Sequence, residues 1–308
     1  MKNALLAVLI GACISQMATD RAFAAEEPAV AAQSAAFSEQ FLDVAGARVR
    51  VRTEGPADAP LLVMVHGFTF SLESWDAWAA DLRQDYRIVR YDLLGHGLSG
   101  PDPQQRYSPD ERVAFHHLLM QQLGIKHATL IGNSFGGLLA WRYAVAHPEA
   151  VERLILVDAA AYSINGVTDK PVPVPDFMRA YLTSVPEAGL RASLARVYSD
   201  ISRLTPDRFD TIRKMMTQPG NGDALIGHLE KFTLPDPEAD LEKIAVPTLI
   251  LWGDKDAVIP VEQAHRMAAA IKGSQLQVYE NVGHAPQEEA PERTLPDVRA
   301  FLATTAQK

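Results

Sequence analysis

Between residues 132 and 136 a serine is flanked by glycines, Gly132-Asn133-Ser134-Phe135-Gly136, where the strand-like run Ala128 to Gly132 gives way to helix-spaced apolar residues. Such a turn strains the serine backbone, and only glycines at its flanks let strand and helix approach closely enough to display Oγ. A hydroxyl is a weak nucleophile at neutral pH, so Ser134 needs a base within hydrogen-bond reach and an acid that holds the base in the right tautomer. His284, in the glycine-flanked stretch Asn281-Val282-Gly283-His284-Ala285-Pro286 after the last strand pattern, is the expected base. The acid is expected at Asp256 in the loop Gly253-Asp254-Lys255-Asp256, with Asp254 a turn former beside Gly253. Asp158, at the end of the strand Leu154 to Val157, is a second contender for the same role. An acyl-transfer intermediate also needs two fixed backbone donors for its oxyanion. The N–H of Phe135, just past the serine, and that of Phe68, in His66-Gly67-Phe68 after the apolar run ending at Val65, are the expected pair. His66 reads as a ring packed under its loop. Asp92 and Ser99 read as the stays of a tight turn through Leu93-Leu94-Gly95-His96-Gly97-Leu98, in which neither Asp92 nor His96 needs to touch substrate.

Such residues must sit at strand ends, and the order of elements supplies them. Phe41 to Arg52 alternates as two short strands around Ala45-Gly46, and Leu61 to Val65 is a continuous apolar run suited to a buried central strand. Helix spacing over Trp75 to Leu82, Glu111 to Leu123 and Leu138 to Ala146 alternates with strand runs at Ile88 to Tyr91, Ala128 to Gly132 and Leu154 to Val157. Strands alternating with helices imply a mostly parallel sheet covered on both faces. The alternation breaks between about Ala160 and Asp240 and resumes with Thr248 to Trp252 as strand, Val261 to Ile271 as helix, Leu276 to Tyr279 as strand and Pro291 to Leu302 as the closing helix. Residues 39–160 and 240–305 therefore read as one α/β core and 161–239 as an inserted helical lid. The lid offers Phe177, Met178, Tyr181, Leu182, Met215, Met216 and Phe232 either to an acyl pocket or to its own packing.

The chain has 308 residues, 47% of them hydrophobic, enough for one large α/β domain with an insertion. Its formal charge of −9, without a basic run, excludes the electrostatic footprint of a nucleic-acid binder. A single cysteine, Cys13, rules out an intrachain disulfide and a cysteine-based metal site. The adjacent His116-His117 lacks the spacing of a helical metal pair and reads as a partly exposed helix feature, so no metal is expected. At the start, Lys2, the apolar run Ala4 to Ile14 and Ala22-Phe23-Ala24 read as a signal peptide over 1–24, cleaved before Ala25. The run is too short for a permanent span, and 25–38 is an alanine-rich flexible segment. The mature protein is then periplasmic or secreted. An alternative reading takes Ile10-Gly11-Ala12-Cys13 as a lipoprotein signal, with Cys13 lipidated and the protein membrane-anchored.

Val65-His66-Gly67-Phe68, the turn from Asp92 to Ser99, the serine pentapeptide, Gly253-Asp254-Lys255-Asp256 with Pro260, and Gly283-His284 together resemble the α/β-hydrolase superfamily over about residues 40–303. The resemblance is to its lid-bearing, esterase- and lipase-like serine hydrolases. It implies an eight-stranded sheet, the chain order Ser134, Asp256, His284, no cofactor and an acyl-enzyme mechanism. Haloalkane dehalogenases and epoxide hydrolases of similar appearance use a carboxylate nucleophile, where this chain has Ser134. The expected activity is hydrolysis of a small-molecule carboxylic ester with an apolar acyl group. Ring-fission carbon-carbon hydrolases also carry a Gly-Asn-Ser-Phe-Gly turn and stand as the alternative, although they typically have tryptophan after the histidine and a glycine-rich oxyanion loop, where this chain has Ala285 and Phe68-Thr69-Phe70. A noncatalytic ligand binder on the same fold is the third reading.

Overall fold

Long apolar runs can be buried strands only if both their faces are covered, and the central strands meet that condition residue by residue. In β3 (Leu61–Val65) of the computed structural model, which describes residues 37–304, Val63 and Val65 pack into one core cluster while Leu62 and Met64 pack into another on the opposite face. The described residues begin with β1 (Ser38–Val44) and β2 (Ala47–Glu54) before β3, and continue through α1 (Asp76–Leu82), β4 (Arg87–Tyr91), α2 (Pro109–Gln122), β5 (Ala128–Asn133), α3 (Phe135–Ala146) and β6 (Val151–Val157). Four helices follow: α4 (Asp176–Ser184), α5 (Glu187–Val197), α6 (Pro206–Met216) and α7 (Asn221–Glu230). After the short α8 (Glu238–Leu241) come β7 (Thr248–Gly253), α9 (Glu262–Ala270), β8 (Gln275–Tyr279), the short α10 (Pro286–Glu289) and α11 (Pro291–Ala303). In β6, Leu154 and Leu156 alternate with Ile155 and Val157 between the two clusters, and in β7 Ile250 and Trp252 alternate with Leu249 and Leu251. That period of two explains why a double-sided strand reads as unbroken hydrophobicity.

This is the α/β-hydrolase fold, with an eight-stranded sheet in the order β1-β2-β4-β3-β5-β6-β7-β8. β1 and β2 pair antiparallel with each other, β2 pairs antiparallel with β4, and the rest of the ladder is parallel. β3 lies between β4 and β5, so the chain leaves β3 toward one edge and returns past it toward the other. Loops leaving neighbouring carboxyl ends in opposite directions open a crevice there. Val65 pairs with Gly132 and Asn133 with Val157, which aligns the ends of β3, β5 and β6 on one edge.

The helices start where the sequence supplies a start. At α2, Ser108 caps Glu111 N–H while the Glu111 carboxylate accepts from Ser108 N–H, with Pro109 in the first turn. This helix therefore begins before the apolar spacing that betrayed it. Helices α4 to α7, between β6 and β7, bury a core of their own that includes Leu182, Leu194, Phe209, Ile212 and Met216. Two sequence expectations change. His116 is fully buried rather than partly exposed, its Nδ1 2.8 Å from the Tyr91 hydroxyl, because α2 turns that face toward β4. Phe177 is 72% exposed and belongs neither to the cavity lining nor to the insertion's core, whereas Met215 and Met216 are buried within the insertion. The expected signal peptide over 1–24 and Cys13 lie outside the described residues. Of residues 25–38 only the last two are described, and Ser38 already begins β1. Among the described residues no helix is long and apolar enough to cross a membrane.

Candidate active site

Ser134 stands between β5 and α3 at φ 53° and ψ −112°, a backbone conformation that a non-glycine residue holds only where its surroundings over-determine it. The surroundings are backbone. Ser134 N–H donates to Val157 O at 2.9 Å, and its carbonyl accepts from Leu138 and Ala160 at 3.0 and 3.1 Å. A Cβ at Gly132 would lie 2.3 Å from Gly136 O, and one at Gly136 would lie 2.2 Å from Val65 O. Neither glycine can carry a side chain without pushing strand and helix apart, which is the physical content of the glycine-serine-glycine spacing.

The other expected residues arrive on neighbouring loops. His284 Nδ1 is 2.7 Å from Asp256 Oδ2, and Asp256 Oδ1 accepts from Val258 N–H at 2.7 Å and Ile259 N–H at 2.8 Å. With the carboxylate facing Nδ1, the imidazole carries its proton there and leaves the Nε2 lone pair free. The two loops meet closely because Gly253, which opens the Asp256 loop, has no Cβ to strike Gly283 O, 2.1 Å from where one would stand. Ser134 and His284 line one cavity of about 210 Å³, whose apolar wall includes Phe68, Phe70, Met178, Leu182 and Val258. Phe135 opens α3, so its N–H has no carbonyl within the helix to bond, and Phe68 N–H likewise has no partner among the described residues. Their rings pack edge to face at 5.5 Å between centroids, binding the loop after β3 to the start of α3.

Asp158, the second contender, is fully buried close to Asp256. One atom each of Asp158, Asp256 and His284 falls within 4.8 Å of the others, a spacing a metal could share, but Nδ1 and both Asp256 oxygens are committed to hydrogen bonds. Asp158 Oδ1 accepts from Gly253 N–H at 3.1 Å, and Oδ2 has no hydrogen-bond partner among the described residues. Burial first, and then the Asp256 carboxylate, raise its carboxyl well above the ordinary range and favour its protonated form. Asp254 accepts from Asn281 N–H at 2.6 Å, so its turn is tied to the loop of the histidine. His66 is fully buried, with Nδ1–H on Gly67 O and Nε2 accepting from Leu93 N–H, and burial pulls it down to about 4. Asp92 accepts from Leu72 and Leu98 N–H, both at 2.8 Å, and Ser99 Oγ donates to Asp92 O. These are structural stays under the β3 loop.

Sequence reasoning gave no role to Asn133. Its Nδ2 donates to Val157 O and to His284 O, both at 3.1 Å, so the residue beside the serine holds the main chain that carries the histidine. Nor did it reveal that the insertion braces the same loop. His284 N–H donates to Val197 O at 2.7 Å, and buried Glu289 accepts from Gly283, Ser199 and Asp200 N–H. All but the Gly283–Glu289 bond join residues far apart in sequence, and no local pattern signals them.

A family model described as the alpha/beta hydrolase fold matches residues 60–291. Lipase 3 of Moraxella sp. is 28% identical over 256 residues, covering 78% of this chain and 76% of the lipase. The 2-hydroxymuconate semialdehyde hydrolase of Pseudomonas sp. is also 28% identical, over 269 residues, covering 84% of this chain and 92% of the enzyme. Among solved structures, one described as a membrane phospholipase A and bacterial virulence factor superposes with a TM-score of 0.75 at 28% identity, covering 87% of this chain and 86% of that one.

Proposed function

The chain belongs to the alpha/beta hydrolase fold family, and from that premise we propose that it is a serine hydrolase cleaving carboxylic esters with apolar acyl groups through an acyl-enzyme intermediate. The observation that carries this reading is a single cavity lined by a strained serine, an imidazole backed by a carboxylate, Phe68 and an apolar wall, with the unpaired N–H of Phe135 on the residue that follows the serine. In the proposed mechanism His284 Nε2 takes the Ser134 proton as Oγ bonds to the ester carbonyl carbon. The carbonyl oxygen becomes an oxyanion held by the N–H groups of Phe68 and Phe135, and Asp256 stabilises the imidazolium. As the carbonyl re-forms, the carbon–oxygen bond to the alcohol breaks and Nε2 returns its proton to the leaving oxygen. Water then gives a proton to Nε2 and attacks the acyl carbon, and collapse frees the acid and restores the Ser134 hydroxyl.

The similarity to Lipase 3 and to the phospholipase A structure supports an ester substrate. Hydrolysis of a carbon-carbon bond is the second reading, favoured by the similarity to the semialdehyde hydrolase. Against it stands Ala285, buried where such enzymes typically carry tryptophan. Turnover of 4-nitrophenyl esters by the parent protein and by Ser134→Ala separates the readings. Serine-dependent release of nitrophenol supports the esterase, while retained ligand binding without any turnover in the parent favours a noncatalytic binder. Residues 161–239 are proposed to act as a lid over the cavity. Residues 1–24 are proposed to direct export, which sequencing the N-terminus of the protein recovered from outside the cytoplasm tests directly.

A further inference from the structure

Six arginines fall within residues 161–239. Arg179, Arg191, Arg203, Arg208 and Arg213 each face a carboxylate, of Glu230, Glu187, Glu292, Glu288 and Glu187 in turn. Arg196 is the exception. Among the described residues it has no carboxylate partner, and its Nη2 donates to the carbonyl of Ala257 at 2.7 Å. Arg196 is also the one arginine of the six that lines the cavity of Ser134 and His284.

The neighbouring Asp256 does not account for it, since both oxygens of that carboxylate are taken by His284 and by the amides of Val258 and Ile259. A guanidinium offers five N–H donors in a planar fork that matches carboxylate and phosphate oxygens, and one bond to Ala257 O leaves most of that fork unused. Ser193, three residues earlier on α5 and so on the same helix face, lines the cavity beside it, and Asn165 adds a further polar group. The cavity is therefore two-sided: Phe68, Phe70, Met178 and Leu182 supply an apolar wall, and Arg196 with Ser193 a cationic polar one. Arg196 is the one lysine or arginine among the residues that line this cavity.

We propose that Arg196 binds an anionic group, carboxylate or phosphate, on the substrate, so that the ester cleaved at Ser134 joins an apolar acyl chain to an anionic head. The assignment rests on the ester-hydrolase reading and deepens it. Ionic contacts at a partly solvated mouth are modest, and the expected preference for an anionic over a neutral head is about fivefold to tenfold in kcat/KM.

Hexanoate esters of glycerol, glycerol 3-phosphate and glyceric acid share one acyl chain and carry a neutral, a phosphate and a carboxylate head. Hexanoate release from each, by the parent protein and by Arg196→Gln and Arg196→Lys, reads the preference and its source. The expected result is a higher kcat/KM for one or both anionic esters, which is eroded by salt. Arg196→Gln is expected to bring the anionic-to-neutral ratio to about one, and Arg196→Lys to keep part of it. Equal rates for all three esters with the parent protein, or a ratio untouched by Arg196→Gln, would overturn the proposal. Calorimetric binding of the same three esters to Ser134→Ala protein reads the head-group preference without turnover. An absence of hydrolysis altogether thus counts against the ester reading, and an absence of anion preference in binding counts against Arg196.

Discussion

Replacing Asp256 by asparagine keeps the shape of the side chain and inverts its hydrogen bonding where it matters. The amides of Val258 and Ile259 both donate to Oδ1, so the carboxamide of Asp256→Asn must keep its oxygen there and turn its NH2 toward His284 Nδ1. A donor facing Nδ1 makes that nitrogen the acceptor and moves the imidazole proton to Nε2, which then cannot accept the proton of Ser134. The wrong tautomer costs a Ser-His-Asp site about 10⁴ in kcat, or about 5.4 kcal/mol of barrier at 1.36 kcal/mol per decade. Asp158→Asn has a different geometry. Its amide oxygen inherits the bond from Gly253 N–H, and its NH2 takes the place of the protonated Oδ2 beside Asp256, a donor for a donor. Activity within about threefold of the parent is expected there. Steady-state hydrolysis of a 4-nitrophenyl ester at neutral pH measures both variants. Asp158→Asn falling as far as Asp256→Asn, or Asp256→Asn retaining a tenth of the activity, would refute the assignment of the acid. The raised carboxyl of Asp158 also fixes a sign for stability. The folded state holds a proton there that the unfolded chain releases above about pH 3.9. The parent should therefore lose stability relative to Asp158→Asn as pH rises from 4 toward neutral, readable as diverging urea midpoints.

Three further outcomes follow from the same contacts. Gly132→Ala puts a Cβ 2.3 Å from Gly136 O, a backbone atom that cannot swing aside, and should cost roughly 3 kcal/mol, seen as a melting temperature lower by about 6–12 °C; an unchanged melt would show that the turn has slack. Asn133→Ala leaves the carbonyls of Val157 and His284 without that donor; a loss of about 1–3 kcal/mol on chemical denaturation is expected, with kcat reduced more than KM is raised, and a pure KM effect would contradict the positioning role. His66 is held neutral by burial, its value lowered to about 4, so the stability it contributes is complete above pH 6.5 and drains away as pH falls toward 4, by up to about 3 kcal/mol; an identical pH dependence of unfolding in His66→Gln would refute that source.

Local signals made the sheet readable. Leu61 to Val65 and Leu249 to Trp252 announce double-sided strands because every residue in them is apolar, and Gly132 and Gly136 announce the turn because no Cβ fits there. Helix starts were less legible, since α2 begins with a polar cap at Ser108 rather than with its apolar stripe. The insertion was least legible of all. Phe177 and Met178 are equally hydrophobic neighbours, yet one faces outward and the other lines the cavity, a choice made by the rotation of α4. The same holds for Asn133, Glu289 and Arg196. Each is an ordinary polar residue in the sequence and gains its place from a partner brought near only by the folded chain.

The measurement closest to the central claim is hydrolysis of 4-nitrophenyl esters, from acetate to long-chain acids, by purified protein comprising residues 25–308 and by its Ser134→Ala variant. The account predicts turnover that disappears with Ser134→Ala and an optimum at the chain length that fills a cavity of about 210 Å³. Silence across the series, or hydrolysis that survives the loss of the Ser134 hydroxyl, would contradict it.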